Sequence, residues 1–183
     1  MRALSARGAM ILALLGATVG TVLDGFHTWS GTTSYPSPVF LKAAWWVPLL
    51  FGVAFASLGS LFSILRARDR RPAPSPRAAL LGFVAFAALY FASGFLPAPN
   101  AVKLAVLLGG GAAAWWLVDR SPAAILTGIA AAIAGPLTEI TLVHIGAFSH
   151  LQPDFAGIPM WLPALYFASG PAGGPFARFV TTL

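Results

Sequence analysis

The chain has 183 residues, of which 58% are hydrophobic and only 9% are charged. This composition excludes an ordinary water-soluble domain, because too few polar side chains are present to cover its surface. The formal net charge is +6, but the basic residues lie at the ends of apolar segments, so nucleic acid is not an expected partner. The absence of cysteine excludes disulfides, thiolate nucleophiles and cysteine-based zinc sites.

Six apolar segments approach the roughly 20 residues that a helix needs to span a bilayer. They cover 8–26, 43–65, 78–96, 100–118, 123–148 and 158–178. We therefore predict an all-α membrane protein, a compact bundle of six transmembrane helices that forms one domain over residues 1–183. No small-residue cleavage site follows the first segment, which favours a retained span over a signal peptide.

The basic residues are divided unequally between the two sides of this bundle. Nine arginines fall on one side: Arg2, Arg7, Arg66, Arg68, Arg70, Arg71, Arg77, Arg120 and Arg178. Only Lys42 and Lys103 fall on the other, which we call the outer side. The positive-inside rule then places both termini in the cytoplasm. A five-span alternative, with 100–118 re-entrant, would break this segregation.

Tryptophans lie at the ends of the predicted spans, where indole rings prefer the lipid headgroups. One phrase is repeated: Pro-x-Phe followed by Trp-x-Pro occurs at 38–48 and again, with identical spacing, at 153–163. Both copies enter a span from the outer side. The repeat predicts that spans one–two and five–six are related hairpins with the same orientation.

Ionisable side chains inside a membrane are costly and therefore are candidates for function. Asp24 and His27 share a helix face at the outer end of span one, where we expect them to reach water. Glu139 lies near the middle of span five, three residues after Pro136, which interrupts the helix. The polar residues around and after it are Thr138, Thr141 and His144. This pattern predicts a polar-lined pocket; the alternative is a protonated Glu139 bonded to a neighbouring helix.

No catalytic motif, P-loop or metal-ligand spacing is present, so we predict neither an enzyme nor a cofactor. The three histidines, His27, His144 and His150, are scattered along the chain and are typical of interfacial polar residues. A competing function is a small proton- or cation-coupled transporter, with the interrupted fifth span as its gate and Glu139 as the ion site.

Several phrases, taken in order, resemble the insulin-induced gene (Insig) family. They are Ala-Trp-Trp-Val-Pro at 44–48, Trp-Trp-x-x-Asp-Arg-Ser at 115–121, Leu-Val-x-x-Gly at 142–146, Pro-Asp-Phe at 153–155 and Trp-Leu-Pro at 161–163. The resemblance covers essentially the whole chain and implies six spans with cytosolic termini, in agreement with the charge count. Eukaryotic members reside in the endoplasmic reticulum, bind oxysterols, retain the escort protein Scap and promote degradation of HMG-CoA reductase, without being enzymes.

The resemblance also implies roles for individual residues. The family aspartate that holds Scap matches Asp119. Without the resemblance, we would interpret Asp119 as a charge at the end of a helix, paired with Arg120. A family glutamine of the sterol pocket aligns near Val102 and a family phenylalanine near Phe86. Because the glutamine is replaced, the ligand implied here is a neutral amphipathic lipid, diacylglycerol-like or sterol-like.

These features together predict a non-enzymatic, lipid-binding member of the family. Heavy use of Ala, Gly and Arg favours a bacterial inner-membrane protein over one of the endoplasmic reticulum, so Scap is not expected as a partner. Small residues at 109–114 suit either a tight bundle or a homo-oligomer. The predicted lipid-binding residues are Trp46, Phe86, Tyr90, Val102, Pro136, Thr138, Glu139 and His144.

Overall fold

Six helices account for most of the residues that the computed structural model describes, 4–67 and 74–182. They are α1 (Ala6–Trp29), α2 (Val47–Arg66), α3 (Pro76–Phe95), α4 (Asn100–Asp119), α5 (Pro122–His144) and α6 (162–182). The predicted all-α bundle of six helices is confirmed. Four arginines of the charge count lie outside the described residues: Arg2, Arg68, Arg70 and Arg71.

The sixth helix occupies the centre of the bundle. Within the described ranges, α1 to α5 are long and apolar enough to cross a membrane, and the chain is an integral membrane protein. α6 instead contains the run Ser-Gly-Pro-Ala-Gly-Gly-Pro at 169–175. It contacts all five other helices, and Leu162, Leu165 and Ala168 are at most 3% exposed. Since its neighbours shield it from lipid, α6 needs no continuous apolar surface.

Three of the described helices contain a π-helical turn: α1, α4 (Trp115–Asp119) and α6. In α1 and α6 the turn carries a glycine at a close helix crossing. In α1 this turn covers Gly16–Gly20, and a Cβ on Gly16 would lie 2.2 Å from a backbone oxygen of α2. In α6 it covers Ser169–Gly173, and a Cβ on Gly170 would lie 2.3 Å from the Ala124 carbonyl oxygen in α5. Side chains do not approach backbone atoms so closely, so glycine is required at both crossings.

Two outer segments, 30–46 and 145–161, join α1 to α2 and α5 to α6. Each contributes a two-residue strand, β1 (Thr33–Ser34) and β2 (Ser149–His150), and the two strands pair antiparallel. α5 ends at residue 144, four residues before its predicted end at 148. α6 begins at residue 162, four residues after its predicted start at 158. The difference arises because the residues between them fold back as β2 and a tight turn.

The repeated phrase has the same backbone at both of its positions. Phe40 forms a β-bridge with Ala43, and Phe155 forms one with Ile158. The two residues between each pair have positive φ angles, 50° and 59° in the first copy and 47° and 81° in the second. In both copies a tryptophan then caps the following helix, and a proline lies in its first turn. The repeat predicted from the spacing is therefore confirmed at the level of the backbone.

Candidate functional site

A cavity of about 90 Å³ lies between α1, α2, α3, α5 and α6, and part of it opens to the outside of the bundle. We call it the apolar cavity, because most of its wall is aliphatic or aromatic. Its larger apolar side chains include Leu23, Phe51, Phe55, Phe83, Phe86 and Leu165. Ligand pockets in proteins typically measure roughly 300–1,000 Å³, so a lipid bound in this cavity would also occupy its opening between the helices.

Glu139 forms the most polar part of the cavity wall, and both of its carboxyl oxygens are bonded. The Tyr166 hydroxyl of α6 donates to Oε1 at 2.6 Å, and Nε2 of His150 lies 2.7 Å from Oε2. Glu139 therefore lines a pocket and also ties α5 to α6 and to β2. Lining a pocket and bonding to a neighbouring helix, which the sequence presented as alternatives, thus occur together at Glu139.

A second polar cluster lies across the cavity on α1 and α3. The Ser93 hydroxyl donates to the Tyr90 carbonyl oxygen at 2.6 Å, so Nε2 of His27, 2.8 Å from the same hydroxyl, acts as the donor. The His27 ring also stacks on the Tyr90 ring, with centroids 4.3 Å apart. Both rings line the apolar cavity.

The expectation that Asp24 and His27 reach water is wrong. Their exposures are 5% and 3%, because the outer segment 30–46 folds over the end of α1. Tyr35 of that segment donates its hydroxyl to Asp24 Oδ2 at 3.0 Å. Burial raises the pKa of the Tyr35 hydroxyl far above its usual range, and the neighbouring Asp24 carboxylate raises it further. Tyr35 therefore remains a hydrogen-bond donor.

The structure brings three of the eight predicted lipid-binding residues to the apolar cavity: Phe86, Tyr90 and Glu139. The other five do not line it: Trp46, Val102, Pro136, Thr138 and His144. Helical geometry accounts for the last two, because α5 turns by about 100° per residue. Thr138 and His144 thus point away from Glu139 and are exposed on the outside of the bundle.

Four polar residues that line the cavity were not among the predicted lipid-binding residues: His27, Thr127, Tyr166 and Ser169. His150 does not line it but bonds to Glu139. Thr127 is 1% exposed, and its hydroxyl has no hydrogen-bond partner. Sequence signals for these residues differed. His150 lies in a two-residue strand, too short to leave a pattern. Tyr166 lies in Ala-Leu-Tyr-Phe-Ala-Ser-Gly at 164–170, an exact copy of 88–94, which makes it the counterpart of the predicted Tyr90.

At the cytoplasmic end, Asp119 belongs to a buried cluster. Its Oδ1 lies 3.4 Å from Nη2 of Arg66, and the two side chains are 5% and 3% exposed. The Ser121 hydroxyl donates to its other oxygen. The structure thus pairs Asp119 with Arg66, a partner that the sequence did not indicate. Arg120 has a φ of 51° and folds back over α4, its guanidinium 4.0 Å from the Trp116 ring centroid.

Within residues 4–67 and 74–182, no group of three His, Asp or Glu side chains is close enough together to hold a metal ion.

The known proteins that are similar to this chain in sequence carry related names. No protein-family model matches the chain. The chain is 34% identical over 172 residues to the INSIG protein homolog of Mycolicibacterium vanbaalenii, covering 88% of this chain and 81% of the relative. It is 30% identical over 177 residues to the insulin-induced gene 1 protein of Gallus gallus, covering 93% and 70%. Neither relative carries the name of an enzyme.

Solved structures agree with these relatives. The crystal structure of a mycobacterial Insig homolog from Mycobacterium vanbaalenii superposes with a TM-score of 0.87 at 29% identity, covering 97% of this chain and 95% of that one. A cross-linked trimer of a cysteine variant of that homolog gives the same TM-score, 0.87, at 28% identity, covering 98% and 96%.

Proposed function

This chain belongs to the Insig family, and on that basis we propose that it binds one molecule of a neutral amphipathic lipid in the apolar cavity and performs no catalysis. The observation that carries the proposal is the distribution of polarity in the cavity. Its wall is apolar over most of its area, and Glu139, Tyr166 and His27 supply polar groups at one end. Such a cavity suits a ligand with hydrocarbon chains and a small polar head.

The polar end of the apolar cavity favours a ligand with a hydroxyl head group over a ligand with a charged head group. A carboxylate offers about four lone-pair sites, and Glu139 uses one on each oxygen, which leaves capacity to accept a ligand hydroxyl. An anionic phosphate head would meet the same carboxylate and be repelled. We therefore infer a diacylglycerol-like or sterol-like ligand.

Thr127 supports a ligand that extends along α5. Its unpartnered hydroxyl lines the apolar cavity twelve residues before Glu139, which corresponds to about 18 Å along a helix. A buried hydroxyl without a partner costs about 1–3 kcal/mol, and a second oxygen on the ligand would remove that cost.

Replacement of Glu139 by leucine tests the proposal. We expect wild-type protein to retain lipid in native mass spectrometry and to gain thermal stability from added diacylglycerol or sterol. Glu139→Leu should weaken binding of the added lipid roughly tenfold or more, the usual contribution of a hydrogen bond to a charged group.

His144→Leu is the matched control, because His144 is an exposed residue on the same helix, and it should bind lipid as the wild type does. Purified wild-type protein with no co-purifying lipid, and no lipid-dependent gain in melting temperature, would overturn the proposal.

The transporter hypothesis gains no support from the relatives. In the structure both Glu139 oxygens are occupied by Tyr166 and His150. The same protein reconstituted in proteoliposomes distinguishes the two functions, since pH-driven flux that Glu139→Gln abolishes would favour transport.

We further propose that the protein resides in a bacterial inner membrane with both termini in the cytoplasm and assembles with itself. The bacterial relative supports the location, and the cross-linked trimer of the mycobacterial homolog supports self-assembly. Scap is not proposed as a partner.

A further inference from the structure

A second cavity, of about 570 Å³, lies at the outer side of the bundle. We call it the outer pocket. It is bounded by residues 30–32, by the connection between α3 and α4, and by part of the outer segment 145–161. Unlike the apolar cavity it has a polar lining, which includes Ser30, Thr32, Asn100, Lys103, His150 and Gln152.

An aromatic wall separates the two cavities. Trp161 lines the outer pocket and His27 lines the apolar cavity. Their rings meet edge to face, with centroids 5.8 Å apart. The outer pocket is therefore a distinct compartment that the lipid proposed above does not fill.

Lys103 places a buried positive charge in this pocket. The side chain is 8% exposed, and its ammonium donates one hydrogen bond, at 2.8 Å, to the Ser93 carbonyl oxygen at the end of α3. It also lies 5.8 Å from the Trp161 ring centroid. An ammonium has three donors, so two are left for a ligand.

No carboxylate among the described residues forms an ion pair with this ammonium. The acid of the adjoining outer segment, Asp154, is held instead by the Asn100 side-chain amide and the Met160 backbone N–H, each at 2.8 Å. A carbonyl dipole alone compensates a buried cation only in part.

The helix that carries Lys103 adds to the positive potential. Lys103 lies in the first turn of α4, where the helix dipole disfavours a cation and favours an anion. A lysine buried at this position is therefore electrostatically costly without a bound negative group.

His150 gives a second, independent indication that the outer pocket holds a ligand. It lines the outer pocket, is 6% exposed, and its Nδ1 has no hydrogen-bond partner. Its other ring nitrogen faces Glu139. Because Nε2 is engaged by Glu139, Nδ1 is the ring nitrogen that is left to bond a ligand in the outer pocket.

We propose that the outer pocket binds a phosphate group, held by the Lys103 ammonium and by Nδ1 of His150. Phosphate accepts several hydrogen bonds at once and matches the positive end of α4. The group comes either from free phosphate or from the headgroup of an anionic phospholipid, because the pocket lies at the end of a membrane-spanning helix.

Thermal unfolding of the full chain tests the proposal and separates the two sources. Protein in nanodiscs of a neutral galactosyl diacylglycerol, whose headgroup carries no phosphate, is titrated with sodium phosphate, and with sodium chloride at equal ionic strength. A second preparation contains phosphatidylglycerol. Stabilisation by phosphate but not chloride indicates free phosphate, and stabilisation only in phosphatidylglycerol indicates a lipid headgroup. No stabilisation in either arm would overturn the proposal.

Lys103→Met removes the charge while keeping most of the side-chain volume, and it should lower the apparent affinity at least tenfold. Lys42→Met is the matched control, because Lys42 is the other outer lysine and is exposed; it should leave the affinity unchanged. An unchanged affinity in folded Lys103→Met would exclude this site. If that variant does not fold, the wild-type comparison of phosphate, chloride and phosphatidylglycerol still decides the outcome.

Discussion

Replacing Asp119 by alanine is expected to lower the free energy of unfolding by about 3–5 kcal/mol, because it removes a buried carboxylate that is paired with the buried Arg66 guanidinium. The two groups lie 3.4 Å apart, and both side chains are at most 5% exposed. Removal of one member of a buried pair costs far more than loss of a surface ion pair. Denaturant unfolding in detergent, followed by circular dichroism, measures the change.

The double variant Arg66→Met with Asp119→Leu is the control for this prediction. Apolar side chains of similar volume often replace a buried ion pair without loss, so most of the stability should return. A loss below about 1 kcal/mol for Asp119→Ala alone would show that the pair is solvated like a surface ion pair. We propose that Asp119 shapes the cytoplasmic end of the bundle through Arg66, and that any effect on a partner is indirect.

Replacing Gly170 by alanine is expected to destabilise the bundle by about 1–3 kcal/mol or more, because the added methyl group overpacks a helix crossing. A Cβ at this position would lie 2.3 Å from the Ala124 carbonyl oxygen and 2.3 Å from the Gly128 nitrogen. Both atoms belong to the backbone of α5, so no side-chain rotation relieves the clash. The helices must separate, and the melting temperature should fall.

Gly109→Ala provides the matched comparison for Gly170→Ala. A Cβ on Gly109 has no atom within 4 Å among the residues that the structure describes, so the change adds no clash. Alanine also has a helix propensity about 1 kcal/mol better than glycine, and the variant should be as stable as the wild type or slightly more stable. Equal melting temperatures for the two variants would contradict the proposed close packing of α5 and α6.

The sequence predicts the helices well because the bilayer imposes a length and a composition on each of them. It also identifies Glu139, since an acid in the middle of an apolar segment has few explanations other than a bonded or functional role. The repeat is likewise visible, because identical turns require the same residues at the same spacing. These features depend on local sequence.

Features that depend on tertiary contacts were not predictable in the same way. Nothing near Asp119 in the sequence identifies Arg66, which lies on a different helix and meets it only after the bundle forms. Asp24 was expected to reach water because Tyr35, which covers it, belongs to a loop. His27 was expected to do so because Tyr90 and Trp161, whose rings pack against it, lie far away in the sequence. His150 is buried by a two-residue strand pair, too short to leave a pattern. The repeat nevertheless implies that the two outer segments correspond, and so points to this part of the chain.

The central position of α6 has a consequence for how the protein is made. A helix with a Gly- and Pro-rich middle has little affinity of its own for hydrocarbon, and backbone groups freed by proline need neighbours to satisfy them. Ribosomes deliver this segment after α1 to α5. We infer that the earlier helices provide the environment into which the last one inserts, so membrane integration of the C-terminal segment depends on assembly of the rest.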